Sequence, residues 1–209
     1  MNRLPGIVTQ HIAALRALLL FTVILGIAYP LLMVGIGQAA FHHQANGSPV
    51  SYHGRVVGSS LLCQEFADAQ GSPLPQYFQP RPSSATSGDK NDSGCDPGFS
   101  AASNLGPNNP ELVALIRQRQ KQYAALNHVP VSAIPPDAVT ASASGLDPYI
   151  SPRNAALQVD RVAAARHVSP SQVRVLVQAS TEGRTLGFLG EPRVNVLMLN
   201  IALNDQYPA

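Results

Sequence analysis

The chain has no tryptophan, and phenylalanine and tyrosine number six each. With 18 prolines and 16 glycines against so few aromatics, the part of it that folds into a globule reads as loop-rich. Long charge runs are missing as well. All 12 acidic residues follow residue 37, together with 12 of the 14 lysines and arginines, so that part is formally neutral. The net charge of +2 comes from Arg3 and Arg16. No basic stripe marks a nucleic-acid surface or a polybasic lipid site. No GxxxxGK[ST] loop offers a nest of backbone N–H groups for phosphates. The Asp-Lys-Thr-Gly-Thr run that carries phosphoaspartate in ion pumps is also missing, as are HExxH and a paired CxxC. The stretch Gly98-Phe99-Ser100-Ala101-Ala102 lacks the last glycine of a nucleophile elbow. Asp147, Asp160 and Glu182 show no acid–base pattern, and Asp160-Arg161 reads as the solvated face of an amphipathic helix. The residues describe a chain without chemistry of its own.

What is present begins with Ala17 to Gly37, 21 positions without a charge. A helix of that length spans roughly 30 Å, the thickness of a bilayer's hydrocarbon core. Only a helix crosses lipid as a single segment, because lipid satisfies no backbone N–H or C=O group. Pro30 inside the run is expected to kink the helix or weaken one turn. A cleavable signal carries a shorter apolar region, which favours a retained anchor although Gly37-Gln38-Ala39 resembles a cleavage site. Arg3 and Arg16 precede the span and no lysine or arginine follows until Arg55, so the positive-inside rule places the N-terminus in the cytoplasm and the rest outside.

The expected organisation is a lead over 1–16, a membrane helix over 17–37, a linker over 38–54 and an extracytoplasmic domain over 55–209. The fold class is α+β, with three to four helices and a few short strands after the anchor. His42, His43 and His53 lack metal-ligand spacing and read as solvated linker residues. A strand is expected in the segment from Gly54 to Leu62. Asn109, Ser151 and Ser169 each precede a proline and should cap three helices. The apolar stripes are Leu112, Ile116, Tyr123 and Leu126 on the first, then Ala155, Ala156, Val159, Val162 and Ala163, then Val173, Leu176 and Val177. A short strand is expected from Leu186 to Leu189. The tail from Glu191 to Asn204 supports helix or strand, and helix is preferred because Pro192 suits a first turn. Cys63 and Cys95 can pair in an oxidising compartment, or stay free with Cys63 as a buried apolar position.

Several ordered motifs then resemble the C subunit of the Kdp potassium-transporting ATPase. They are Gly58-Ser59 with Gln64 and Phe66, Tyr77-Phe78 with Arg81-Pro82-Ser83, Ser103 to Pro107, the stretch TASASGLDPYISP from Thr140 to Pro152, Gln158 to Ala163, and Gly190 to Leu197. The chain departs from that family at Cys63, Ala102 and Ala143, where glycine is usual, and at Tyr149, where histidine is usual. The segment around Asp89 to Phe99, with Cys95, is also unusual, so a bridge is not something the family implies.

The resemblance implies an accessory subunit in the bacterial inner membrane, partnered with a channel-like potassium subunit and an ATP-hydrolysing P-type subunit. Its expected role is to assist assembly and raise the ATP affinity of the pump subunit. ATP and potassium act in the complex, with no cofactor or metal held by this chain alone and no nucleic-acid partner. Asn104, Gly106, Ser144, Gly145, Asp147 and Asn195 are the expected loop-forming or partner-contacting positions. The alternative is a membrane-anchored extracytoplasmic binding protein or hydrolase that acts alone.

Overall fold

The computed structural model describes residues 5–88 and 94–208 and divides the chain into two compact units at Ser48/Pro49. The first contains a continuous apolar helix, Gly6–Ala40, long and apolar enough to cross a membrane. It comprises α1 (Gly6–Phe21), a π-wound stretch (Thr22–Ala28) and α2 (Tyr29–Ala40). The wide turns lie directly ahead of Pro30. A proline lacks the N–H for an i−4 bond and its ring crowds that carbonyl. The helix answers with five-residue steps, such as Tyr29 N–H to Ile24 C=O. Beyond it, the short helix α3 (His42–Ala45) is tied back by His42 Nδ1 and Asn46 Nδ2 to the Gln38 side-chain oxygen, at 2.8 and 3.1 Å.

The second unit opens with an antiparallel hairpin, β1 (Pro49–Tyr52) and β2 (Arg55–Ser59). His53 and Gly54 form its turn, both at positive φ, the geometry that matches strand twist. The segment expected as a linker therefore contains a strand, and His53 serves as a turn residue. Three helices start at the caps read from the sequence. Asn109 accepts from Glu111 N–H ahead of α4 (Pro110–Asn127), Ser151 from Asn154 N–H ahead of α5 (Pro152–Ala165), and Ser169 forms a reciprocal box with Gln172 ahead of α6 (Pro170–Ala179).

A three-stranded antiparallel sheet runs in the order β3 (Tyr149–Ile150), β5 (Arg193–Asn195), β4 (Thr181–Glu182). Val194 pairs with both Ile150 and Thr181. The tail is thus strand and then helix: β5 runs straight into α7 (Val196–Gln206), capped by Asn195, and Pro192 precedes the strand. The helix expected from residue 191 starts later because Val194 is fully buried as the middle of the sheet. The strand expected from Leu186 to Leu189 is a turn closed by bonds between Thr185 and Leu189. The core lies where α5, α6 and α7 meet the sheet. It includes Phe78, Ile150, Val159, Val162, Val173, Leu199 and Leu203.

Candidate functional site

The loop over residues 140–148 is where the separate motifs converge. Gly145 is buried at φ +72, and a Cβ there would lie 2.5 Å from the Ala101 carbonyl oxygen and 2.8 Å from Ala85 Cβ. Only glycine combines that backbone with that approach. Its carbonyl accepts from the Ser83 hydroxyl at 2.6 Å, and the same hydroxyl accepts from the Ala85 and Cys95 N–H groups. On either side, Ala101 N–H and the Ser100 hydroxyl both donate to Ser144 C=O at 3.0 Å, and Cys63 N–H donates to Leu146 C=O at 2.9 Å. Val196 N–H reaches Pro148 C=O at 3.0 Å. Cys63 and Cys95 are joined in a disulfide across a sequence separation of 32, which closes one edge of this plate.

Asp147 is the charged centre. Its Oδ2 accepts from Arg81 Nη1 at 2.8 Å and its Oδ1 from Tyr149 N–H at 3.0 Å. A second guanidinium nitrogen of Arg81 donates to Thr140 C=O at 3.3 Å, while Arg81 Nε is buried with no hydrogen-bond partner among the described residues. The two side chains keep 23% and 30% of their surface exposed, so the pair is still reachable from outside. It borders a shallow concavity of about 720 Å³ lined by Leu61, Leu62, Ser142, Ser144 and Tyr149. Arg81 also borders a second concavity of about 700 Å³ lined by α4 and the Gln79–Ser83 segment, with Glu65, Arg119 and Tyr123 in the wall.

The six singled-out positions separate into two groups. Gly145, Asp147 and Asn195 are fixed internally; Asn195 caps α7 and donates to Ser60 C=O at 2.9 Å. Asn104, Gly106 and Ser144 lie exposed, with Asn104 at φ +53. Gly58 links further motif residues, since a Cβ there would meet the Gln64 side chain at 2.7 Å and Leu197 at 3.0 Å. Neither concavity is lined by histidine or cysteine, and among the described residues no three histidine, cysteine or acidic side chains cluster as a metal site would need.

Sequence reading missed the polar interior beneath this plate. Arg161, expected on a solvated face, is 7% exposed. It donates to Asn127 Oδ1, Gln158 Oε1, Pro75 C=O and Tyr77 C=O. Burial lowers its pKa to about 10, and it remains a cation at neutral pH. Arg166 likewise holds Gln76 C=O, Tyr207 C=O and Asn204, and covers the Tyr77 ring. Gln158 exchanges two bonds with the Gln79 backbone, and Tyr123 donates to Asn154 Oδ1 at 2.8 Å. Ala156, expected in the core, faces outward instead. The available signal was the spacing of Asn154, Gln158 and Arg161, which shares a helix face with Ala155, Val159 and Val162.

The comparisons with known proteins agree over nearly the whole length. A model of the KdpC family, described as the K+-transporting ATPase c chain, matches residues 11–205. The chain belongs to the KdpC family. Curated relatives named potassium-transporting ATPase KdpC subunit include one from Mycobacterium bovis (strain BCG / Pasteur 1173P2), 49% identical over 93% of this chain and 97% of that protein. Another, from Caulobacter vibrioides, is 48% identical over 93% and 92%, and one from Sorangium cellulosum is 50% identical over 91% and 95%. The KdpC match covers the apolar helix from residue 11 as well as the domain, so both units carry the likeness.

Proposed function

We propose that this chain is a single-pass accessory subunit of a potassium-transporting P-type ATPase in the bacterial inner membrane. Its N-terminus lies in the cytoplasm and its domain outside, as the two N-terminal arginines favour. It docks through the 140–148 loop and the Arg81–Asp147 pair onto a channel-like subunit and an ATP-hydrolysing subunit, and performs no chemistry itself. ATP and potassium bind on the partners. The observation that carries this reading is the family match across both units, from the apolar helix to α7.

With the domain outside, an effect on ATP affinity travels through helix packing as a coupling between conformational states, typically worth about 1–3 kcal/mol. Such coupling assists nucleotide binding without a nucleotide contact. The test is potassium-stimulated ATP hydrolysis by the complex with and without this chain, over a range of ATP concentration. Omission is expected to raise the apparent KM for ATP while the remaining subunits stay assembled. Collapse of the assembly, or loss of potassium affinity alone, assigns the chain to scaffolding or to the potassium entrance. No effect of omission contradicts the proposal.

A further inference from the structure

The segments that carry the two halves of the Arg81–Asp147 pair are tied to each other through a closed ring. Arg81 lies two residues ahead of Ser83, and Asp147 two residues beyond Gly145. Cys95 N–H donates to the Ser83 hydroxyl oxygen at 2.9 Å, and that hydroxyl donates to Gly145 C=O at 2.6 Å. Cys63 Sγ lies 3.3 Å from the same carbonyl oxygen, and its bond to Cys95 completes the ring. Cys63 N–H then holds the C=O of Leu146, the residue next to Asp147. No regular structure adds to this hold. Among the described residues between β2 and α4 there is no helix, and the only strand-like pairing is an isolated Ala67–Pro73 bridge. Cys95 also stands at φ +57, a backbone conformation that a side chain disfavours and glycine accepts freely. A cysteine there carries strain that glycine would not, and its sulfur is in the bond. Both half-cystines are buried, so the finished bond is shielded from soluble thiols.

We propose that oxidation of Cys63 and Cys95 is the maturation step that makes this chain competent to dock, because the bond sets Asp147 against Arg81. This rests on the proposed docking face and on the proposed placement of the domain outside the cytoplasm. Inside, soluble dithiols keep such a pair reduced. Outside, a disulfide-bearing protein oxidant is the co-reactant. One cysteine thiolate attacks the oxidant's disulfide to form a mixed disulfide, and the other then displaces the oxidant from it. The Cys63–Cys95 bond forms, the two thiols lose two electrons and two protons, and the oxidant leaves as a dithiol. Without the bond, Cys95 keeps its N–H on Ser83 but has no covalent hold on Cys63, and weak bonds alone must close the segment. The docking face then opens locally while the core around α5, α6 and α7 stays folded.

The test uses tagged full-length chain, wild type and Cys63→Ser/Cys95→Ser, produced together with the partner subunits and dissolved in mild detergent. The mass of unreduced wild-type chain after iodoacetamide in denaturant is expected to show neither cysteine alkylated. The serine variant is expected to lose the partner subunits and to keep its helical circular dichroism. Wild-type chain made in the presence of dithiothreitol is expected to carry two alkylatable thiols. Mixed with membranes that hold the partner subunits, it should bind them only after oxidised glutathione has restored the bond. Free thiols in untreated wild-type chain overturn the proposal, as does a serine variant that keeps its partners. A serine variant that also loses its helical signal shows that the bond holds the whole domain rather than the docking face, and overturns it too. In each of those cases the wild-type chain still brings down its partners, so the proposed function stands. A disulfide-bonded wild-type chain that migrates alone overturns the proposed function and the maturation step with it.

Discussion

Around α5, α6 and α7 the domain is held by apolar side chains packed in an unbroken cluster, whereas the plate formed by residues 60–88, 94–106 and 140–148 is held by individual ties. The first region has Val159, Val162, Val173, Leu199 and Leu203 interlocked. The second has a disulfide, the Arg81–Asp147 ion pair, the Ser83 hydroxyl and a glycine that admits no side chain. Phe78 and the Arg161 network join the two. The comparison teaches that the outward-facing motifs depend on positions that contribute little apolar burial, so single substitutions can loosen the plate while the helical region stays folded.

The largest expected effect breaks the junction. Phe78 is fully buried and its backbone exchanges bonds with the Asn200 amide, so Phe78→Ala should destabilise the whole domain by about 4 kcal/mol, read as a fall in the denaturation midpoint. Arg161→Gln comes next, at about 3 kcal/mol, because it strands the Pro75 and Tyr77 carbonyls and Asn127 Oδ1 in the interior.

Gly145→Ala sharpens the contrast between the regions. The added methyl meets the Ala101 carbonyl and the φ of +72 disfavours it, a cost of about 2 kcal/mol placed on the plate. Hydrogen exchange should quicken around Ser83, Cys95 and Ala101 and stay slow in α5. Equal loosening everywhere would show that the two regions unfold as one.

The smallest effect is a dependence on pH. Burial raises the Tyr123 phenol above its ordinary value of 10, so the unfolded chain loses that proton first. The stability it contributes is complete below pH 10 and declines as pH rises beyond it. Tyr123→Phe should therefore flatten the alkaline loss of stability, at a cost of about 1 kcal/mol near neutrality for the bond to Asn154. Arg161 acts with opposite sign in the same range, since its folded pKa is lowered, but it is common to both proteins and cancels in the comparison.

The helical region was legible because its signals are local. Asn109-Pro110, Ser151-Pro152 and Ser169-Pro170 each place a cap and a first-turn proline side by side, and the stripes of α5 and α6 follow a 3.6-residue period. The order of motifs along the chain also pointed to the family. What stayed hidden depends on partners far apart in sequence. Nothing near Asp147 announces Arg81, 66 residues away, and nothing near Arg161 announces the carbonyls of Pro75 and Tyr77. The tail misled because Pro192 is a first-turn residue by type, while the burial of Val194 between two strands makes that stretch a strand.

The most direct test of the account is the company this chain keeps when membranes are dissolved in mild detergent. Tagged full-length chain is expected to co-migrate with a channel-like potassium subunit and an ATP-hydrolysing subunit. Asp147→Ala, which unseats Arg81 from the exposed face, is expected to lose them while the domain keeps its helical circular dichroism. A wild-type chain that migrates alone would contradict the claim that it works as a subunit.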